Sequence, residues 1–359
     1  VTLRLAVLWL NYNGSHLGDV LKLSLKSIGM LASRLVRRGV EVNVVVVDNH
    51  STDGSDALVR ALTSELRREY PATYAFVRTG RNWGYSGGMN IAYRLAGKAD
   101  LIMPMNNDVV LNPEGVAELV EYALRAGRRV GGVQGIILKP TQDIDNAGGL
   151  IDELLATRSL KERIRSPTPV TYLSGALSVL RYEALKLSGM GRKLFVEAIP
   201  AYFDDVLVGI RLWREGFFCI SLPIVAGFHL HSATFARYSG FKLLNSTASH
   251  VALTKIVESR YAPLVKLFTV KLLARMLYKI GRMKPRALKD LIAGVKLGNA
   301  VGTYLIQREG TAELNAVPHI RLSPADALKE AFLKIKLGDV FRSSAIAIGK
   351  TTVGRMRSG

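Results

Sequence analysis

Cysteine is nearly absent: Cys219 is the only one, which excludes an internal disulfide and a cysteine metal cage. Long apolar runs are missing too. The nearest approach, Phe217 to Leu230, covers 14 residues and is interrupted by Pro223, short of the roughly 18 that a membrane span needs. Val1 to Leu10 lacks the charged, apolar and cleavable order of a signal peptide, so a cytoplasmic location is expected. Neither repeats nor low-complexity segments occur. Acid is scarce: 29 Asp and Glu stand against 49 Lys and Arg, a net charge of +20. The shortage is local. From Gly240 to Gly359 there are 21 basic and 7 acidic residues, whereas the rest of the chain holds 28 and 22. That asymmetry points to a polyanionic partner, either nucleic acid or an anionic membrane surface.

What is present suffices for a sizeable core: 48% of 359 residues are apolar, enough for one large or two unequal domains. The pattern predicts one domain over 1–240 and a basic, mainly helical region over 241–359. Leu5 to Leu10 and Val42 to Val47 are continuous apolar runs that fit buried parallel strands. Thr73 to Val77 and Leu101 to Met105 follow at similar spacing, with helical periodicity between them (Val20, Leu21, Leu25, Ile28, Leu31, Leu35 in the first case). Such alternation predicts an α/β fold with a doubly wound, mostly parallel sheet. Each strand ends in a polar cluster: Asn11 to Gly14, Asp48 to Ser55, Asn82 to Asn90, and Asn106-Asn107-Asp108. In a parallel sheet those ends share one edge, where open α/β folds bind ligands. Asp108 would present hard oxygen ligands to a divalent cation; a turn before a helix starting at Pro113 is the other reading. Gly84 to Gly88 reads as a loop whose backbone can approach a ligand closely, or as a plain turn.

Further on, Thr141 to Pro169 is polar and reads as a flap over the site, and Val170 to Leu180 reads as a strand holding Ser174-Gly175-Ala176. Asp204 and Asp205 open an amphipathic helix that carries Arg211, and either helix capping or catalysis explains such a pair. His229 and His231, two apart on an extended segment, face the same way and can ligate a metal as neutral imidazole.

Taken in order, these pieces resemble the family 2 glycosyltransferases of the GT-A fold, especially the rhamnosyltransferase-like branch. The matching stretches are Asn11-Tyr-Asn-Gly, Val47-Asp-Asn-His-Ser-Thr-Asp-Gly-Ser, Asn82-Trp-Gly-Tyr-Ser-Gly-Gly-Met-Asn, Met105-Asn-Asn-Asp, Ser174-Gly-Ala, Phe203-Asp-Asp with Arg211, and His229-Leu-His-Ser. The resemblance implies a nucleotide-diphosphate sugar donor, a divalent metal (Mg2+ or Mn2+) and inversion at the anomeric carbon. It assigns Asp48 to the nucleoside, with Asn11, Asn13, Asn82, Gly87, Gly88, Asn107, Ser174 and Gly175 lining the donor pocket. Asp108 and His229 fall to the metal, Asp205 to the general base with Asp204 beside it, and Arg211 to pairing with that acid. Two departures stand out: Asn106 replaces the first acid of the metal motif, and Leu207 stands where a third acid would follow Asp205.

The basic region adds a helix from Pro263 in which Lys271, Arg275, Lys279 and Arg282 form a stripe on an otherwise apolar surface. Such a helix can lie in a membrane interface, which would suit a peripheral position on the inner face of the cell membrane and a lipid-linked or cell-surface glycan acceptor. Alternatively its apolar face packs on the protein or on a second copy of the chain. Nucleic acid is disfavoured, because aromatic residues are not interleaved with the basic ones. Two further readings remain, a sugar nucleotidyltransferase and a GT-A-fold scaffold without catalysis.

Overall fold

The computed structural model describes residues 2–199, 201–230, 239–281, 287–332 and 346–347. The first part alternates β1 (Leu3–Asn11), α1 (Asp19–Arg37), β2 (Val40–Asp48), α2 (Ser55–Glu69), β3 (Thr73–Arg78), α3 (Gly84–Leu95) and β4 (Leu101–Asn106). β1 pairs in parallel with β2 and β4, and β2 with β3. Helices cover both faces, so residues of either parity along β1 must be apolar; Leu5 to Trp9 are fully buried. Trp9 is tied to α1 by an indole bond to the Ser24 hydroxyl at 3.0 Å. The expected doubly wound sheet is present.

Beyond β4 come β5 (Val109–Leu111), α4 (Pro113–Arg125) and β6 (Val130–Leu138). The stretch expected to be a flap holds four short strands instead, β7 (Ile144–Asn146), β8 (Gly149–Asp152), β9 (Thr157–Ser159) and β10 (Thr168–Pro169). Four of its charged residues face inward: Asp145, Asp152, Glu153 and Arg158 are all buried. Burying charge requires partners, and Arg158 meets Asp152 at 3.1 Å. The strand expected over 170–180 is broken. Only its end forms, as β11 (Val179–Arg181), with Gly175 in a turn before it. α5 (Tyr182–Leu185), α6 (Asp204–Arg214) and β12 (Phe218–His229) complete this part. The main sheet runs β10-β12-β6-β11-β4-β1-β2-β3, with β11 antiparallel to both neighbours.

The remaining chain forms α7 (Ser239–Ile256), β13 (Val257–Glu258), α8 (Ala262–Gly281), α9 (Ala287–Glu309), β14 (Ala312–Glu313), β15 (His319–Ile320), α10 (Pro324–Phe332) and β16 (Ile346–Ala347). α7 and α9 cross at Gly294, Gly298 and Gly302. A Cβ at Gly298 would lie 2.4 Å from the Ala248 carbonyl oxygen, so only hydrogen fits there. A second core unites Ala252, Val301 and Leu305 of these helices with Ile151, Leu207 and Ile210 from the first part. α6 separates the two cores, with Val208 and Leu212 on one side and Leu207 and Ile210 on the other. Of the expected basic stripe, Arg275 is exposed. Lys271 turns towards α10 and donates to the Glu330 carbonyl. The side chains of Lys279 and Arg282 lie outside the described residues, as does His231. No helix among the described residues is long and apolar enough to cross a membrane.

Candidate active site

The ends of β1 and β2 meet at Asp48, which is fully buried. Its carboxylate accepts hydrogen bonds from the Asn11 amide at 2.8 Å, the Ser51 hydroxyl at 2.5 Å and the Ser51 N–H at 3.0 Å. Asp48, expected to hold the nucleoside, joins two loops through these bonds. Asn11 is saturated in the same way: its amide also donates to Ser55 at 2.9 Å, and its oxygen accepts from Asn107 at 3.0 Å. Asn13, with φ of 48°, accepts the Thr52 N–H at 2.8 Å. Asn82 caps the Gly84 N–H at 2.8 Å and accepts from Asn49 at 2.9 Å. These bonds tie the strand-end loops to one another. The cation beside them is Arg78, partly exposed at the end of β3, 3.6 Å from Asp48 and 3.4 Å from Asp56.

Gly87 and Gly88 differ from expectation. They are not in a loop but are buried in the first turns of α3. A Cβ on Gly88 would lie 2.6 Å from Leu10, and one on Gly87 2.8 Å from the Trp83 side chain. The missing side chain of Gly88 brings the helix onto β1, and that of Gly87 leaves room for Trp83.

Asp108 follows the end of β4, and β5 then pairs antiparallel with β12 so that Val109 faces His229. That register brings Asp108 Oδ1 to 3.3 Å from His229 Nε2. His229 Nδ1 sits 3.0 Å from Asp145, which the sequence did not single out. Burial alone would lower the His229 pKa, but the contacts with Asp108 and Asp145 prevail and raise it to about 9. Among the described residues no group of three or more His, Cys, Asp or Glu is placed to hold a metal ion; Asp108 and His229 would supply one carboxylate oxygen and one imidazole nitrogen to one. Asp145 would then fix the imidazole tautomer from the far side, as outer-shell carboxylates do.

The second acidic pair faces a cavity of about 280 Å³ lined by Tyr85, Asn106, Thr157, Ser159, Asp204 and Asp205 among others. Asp205 accepts the Gly175 N–H at 3.2 Å and the Val206 N–H at 2.9 Å. Gly175 is thereby placed against the acid, and its carbonyl takes the Tyr85 hydroxyl at 2.7 Å. Ser174 supports this turn: its hydroxyl accepts the Ala176 N–H at 3.2 Å, and its own N–H donates to buried Gln134 at 2.6 Å. Burial raises the pKa of both acids, and the Asp205 charge raises Asp204 further. Tyr85 is raised well above its ordinary value by burial and by the charges of Asp204, Asp205 and Asp108, which brings the two acidic centres into one field. Arg211 is not part of it. One to two turns along α6, its guanidinium binds Glu309 at 2.7 and 2.9 Å, away from Asp205.

Tyr85, Gln134, Asp145, Thr157 and Ser159 escaped the sequence reading. Asp145 and Ser159 lie in the polar stretch read as a flap, so only the pairing of β7 with β6 and of β9 with β8 reveals their inward face.

Residues 16–187 match the family model described as glycosyl transferase family 2. Among solved structures, the chain is similar to the mannosyltransferase PcManGT from Pyrobaculum calidifontis, determined with GDP-Man and Mn2+. Identity is 17% over 85% of this chain and 86% of that one, with a TM-score of 0.52. It is also similar to residues 1–349 of S. aureus TarS, at 13% identity over 83% of each chain and a TM-score of 0.48. No curated protein matches the sequence.

Proposed function

From the premise that this chain is a glycosyltransferase with a family 2 domain and the GT-A fold, we propose that it is a metal-dependent inverting enzyme with Asp205 as its base. It moves a sugar from a nucleotide-diphosphate donor to a hydroxyl of a glycan or lipid-linked acceptor. The observations that carry this reading are the cavity of about 280 Å³ that Asp204 and Asp205 line and the contact between Asp108 and His229 at 3.3 Å.

Two adjacent buried carboxylates share the cost of charge unequally. Asp205 receives two backbone N–H bonds, which favour its ionised form, whereas Asp204 takes no such bond from outside itself. Asp205 is therefore the anion and Asp204 keeps its proton at neutral pH. The acceptor hydroxyl gives its proton to Asp205, and its oxygen bonds to the anomeric carbon. The bond from that carbon to the diphosphate breaks on the opposite face, and the electron pair leaves with the nucleoside diphosphate. A divalent cation held by Asp108 and His229 would neutralise charge on that leaving group. GDP-mannose and manganese, the ligands of PcManGT, are the natural first probes. The rhamnosyltransferase-like resemblance makes dTDP sugars the second.

Peripheral attachment to an anionic membrane belongs to the same proposal. Its support is the basic last third together with exposed apolar side chains there, Val270, Leu288, Ile292 and Phe332.

The test is thermal unfolding with UDP, GDP, dTDP or CMP, each with and without manganese. Stabilisation by one diphosphate only when manganese is present is the expected result. A folded protein that responds to none of them would refute the donor reading.

A further inference from the structure

α6 opens on Asp204 and Asp205, and the two residues before it are Tyr202 and Phe203, with φ of 70° and 59°. Bulky side chains rarely adopt such left-handed backbone, and two in succession persist only where surrounding structure imposes them. The imposing contacts come from the C-terminal helices. Ser249 of α7, itself fully buried, donates its hydroxyl to the Tyr202 carbonyl at 2.8 Å. At the other end of α6, Glu309 of α9 grips Arg211 at 2.7 Å and Arg214 at 3.2 Å, and these side chains are largely removed from water. The opposite wall of the cavity is held from the same region. β15 extends β8 in parallel, and Arg260 binds Glu153 at 2.8 Å directly after that strand.

We infer that the C-terminal region is a catalytic frame: Ser249 and Glu309 are positioning residues that hold the Tyr202–Phe203 turn and α6 so that Asp205 faces the cavity. This rests on the assignment of Asp205 as base. Neither residue lines the cavity, so neither would contact a donor bound there. Losing either lets the turn relax towards ordinary backbone angles and carries the carboxylate with it.

Ser249→Ala, Ser249→Thr, Glu309→Gln and Asp205→Asn in the full chain test this, with UDP-, GDP- and dTDP-sugars offered in parallel and nucleoside diphosphate release as the readout. Ser249→Ala and Glu309→Gln are expected to lower kcat by about 10- to 100-fold, the cost of an ångström-scale misplacement. KM for the donor should stay within about threefold, since ground-state binding is untouched. Amide exchange over residues 201–207 should quicken in both, while Ser249→Thr, which keeps the hydroxyl, restores turnover. Should Ser249→Ala fail to fold, Glu309→Gln carries the test alone. Wild-type turnover and wild-type exchange in the variants that fold, beside an inactive Asp205→Asn, would overturn the positioning role. An active Asp205→Asn would instead remove the base assignment on which that role rests.

Discussion

Asp204 and Asp205 occupy neighbouring positions yet have different chemistry, because backbone donors reach only one of them. If Asp204 is neutral when the enzyme turns over, an amide can replace it. Asp204→Asn should retain most of the activity at neutral pH, whereas Asp205→Asn should lose it by the factor of about 10²–10⁴ ascribed to a general base. A steady-state assay of both variants decides between them, and the reverse ranking would exchange their roles. The same pair sets a stability slope. Asp204 has a folded pKa of about 8, above its ordinary 3.8, so the native state binds the extra proton between those values. Its stabilising contribution is present below the ordinary value and lost as pH rises through about 8. Unfolding midpoints of the wild type should therefore fall on the alkaline side relative to Asp204→Asn. Parallel curves from pH 5 to 9 would contradict the shifted acid. Some of this site was legible in the sequence: Asp108, Asp205 and His229 stand at the ends of readable elements, where reactive groups have to be. The loop-joining role of Asp48 was not, because a strand-end carboxylate looks the same in sequence whether it faces a ligand or the loops beside it.

Helices α7 and α9 owe their close approach to a row of glycines, and that makes their contact fragile. Gly298→Ala would press a methyl onto the Ala248 carbonyl oxygen, which as backbone has little room to yield. Overpacking of this kind costs about 1–3 kcal/mol. On the outer face of the same helix, Asn299→Ala should be neutral or slightly stabilising, since alanine is the better helix former. Denaturant midpoints of the two variants measure the contrast, and equal midpoints would mean that the crossing is looser than described. At this scale the sequence was most informative up to residue 138, where period and length separate strands from helices. It was least informative over 141–180. There the strands are two to four residues long, and their register is set by partners far away, such as β15 for β8. A polar stretch that buries its charges through distant ion pairs has no periodicity to read.

Across the whole molecule, charge and attachment to the catalytic domain pull the design of experiments in different directions. Removing residues 259–359 would strip cations from the surface, but it would also remove β15 and Arg260 from behind the cavity wall. A loss of both activity and membrane binding would then say nothing about which property the region serves. Point changes separate the two. Leu288 and Ile292 are exposed one turn apart on α9, on the side away from the glycines that meet α7, so replacing both with serine leaves the frame intact. The wild type should sediment with phosphatidylserine vesicles and not with neutral phosphatidylcholine ones. Raising ionic strength from about 0.1 to 1 M shortens the Debye length from about 10 to 3 Å and should release most of it. Leu288→Ser/Ile292→Ser should bind more weakly at low salt while its turnover on a soluble acceptor is unchanged, because apolar insertion and headgroup attraction add in an interfacial helix. Binding to both vesicle types that ignores salt would assign attachment to apolar contact alone. Absence of binding at low salt would leave the basic surface to another polyanion, with DNA titrations under the same conditions as the discriminating measurement.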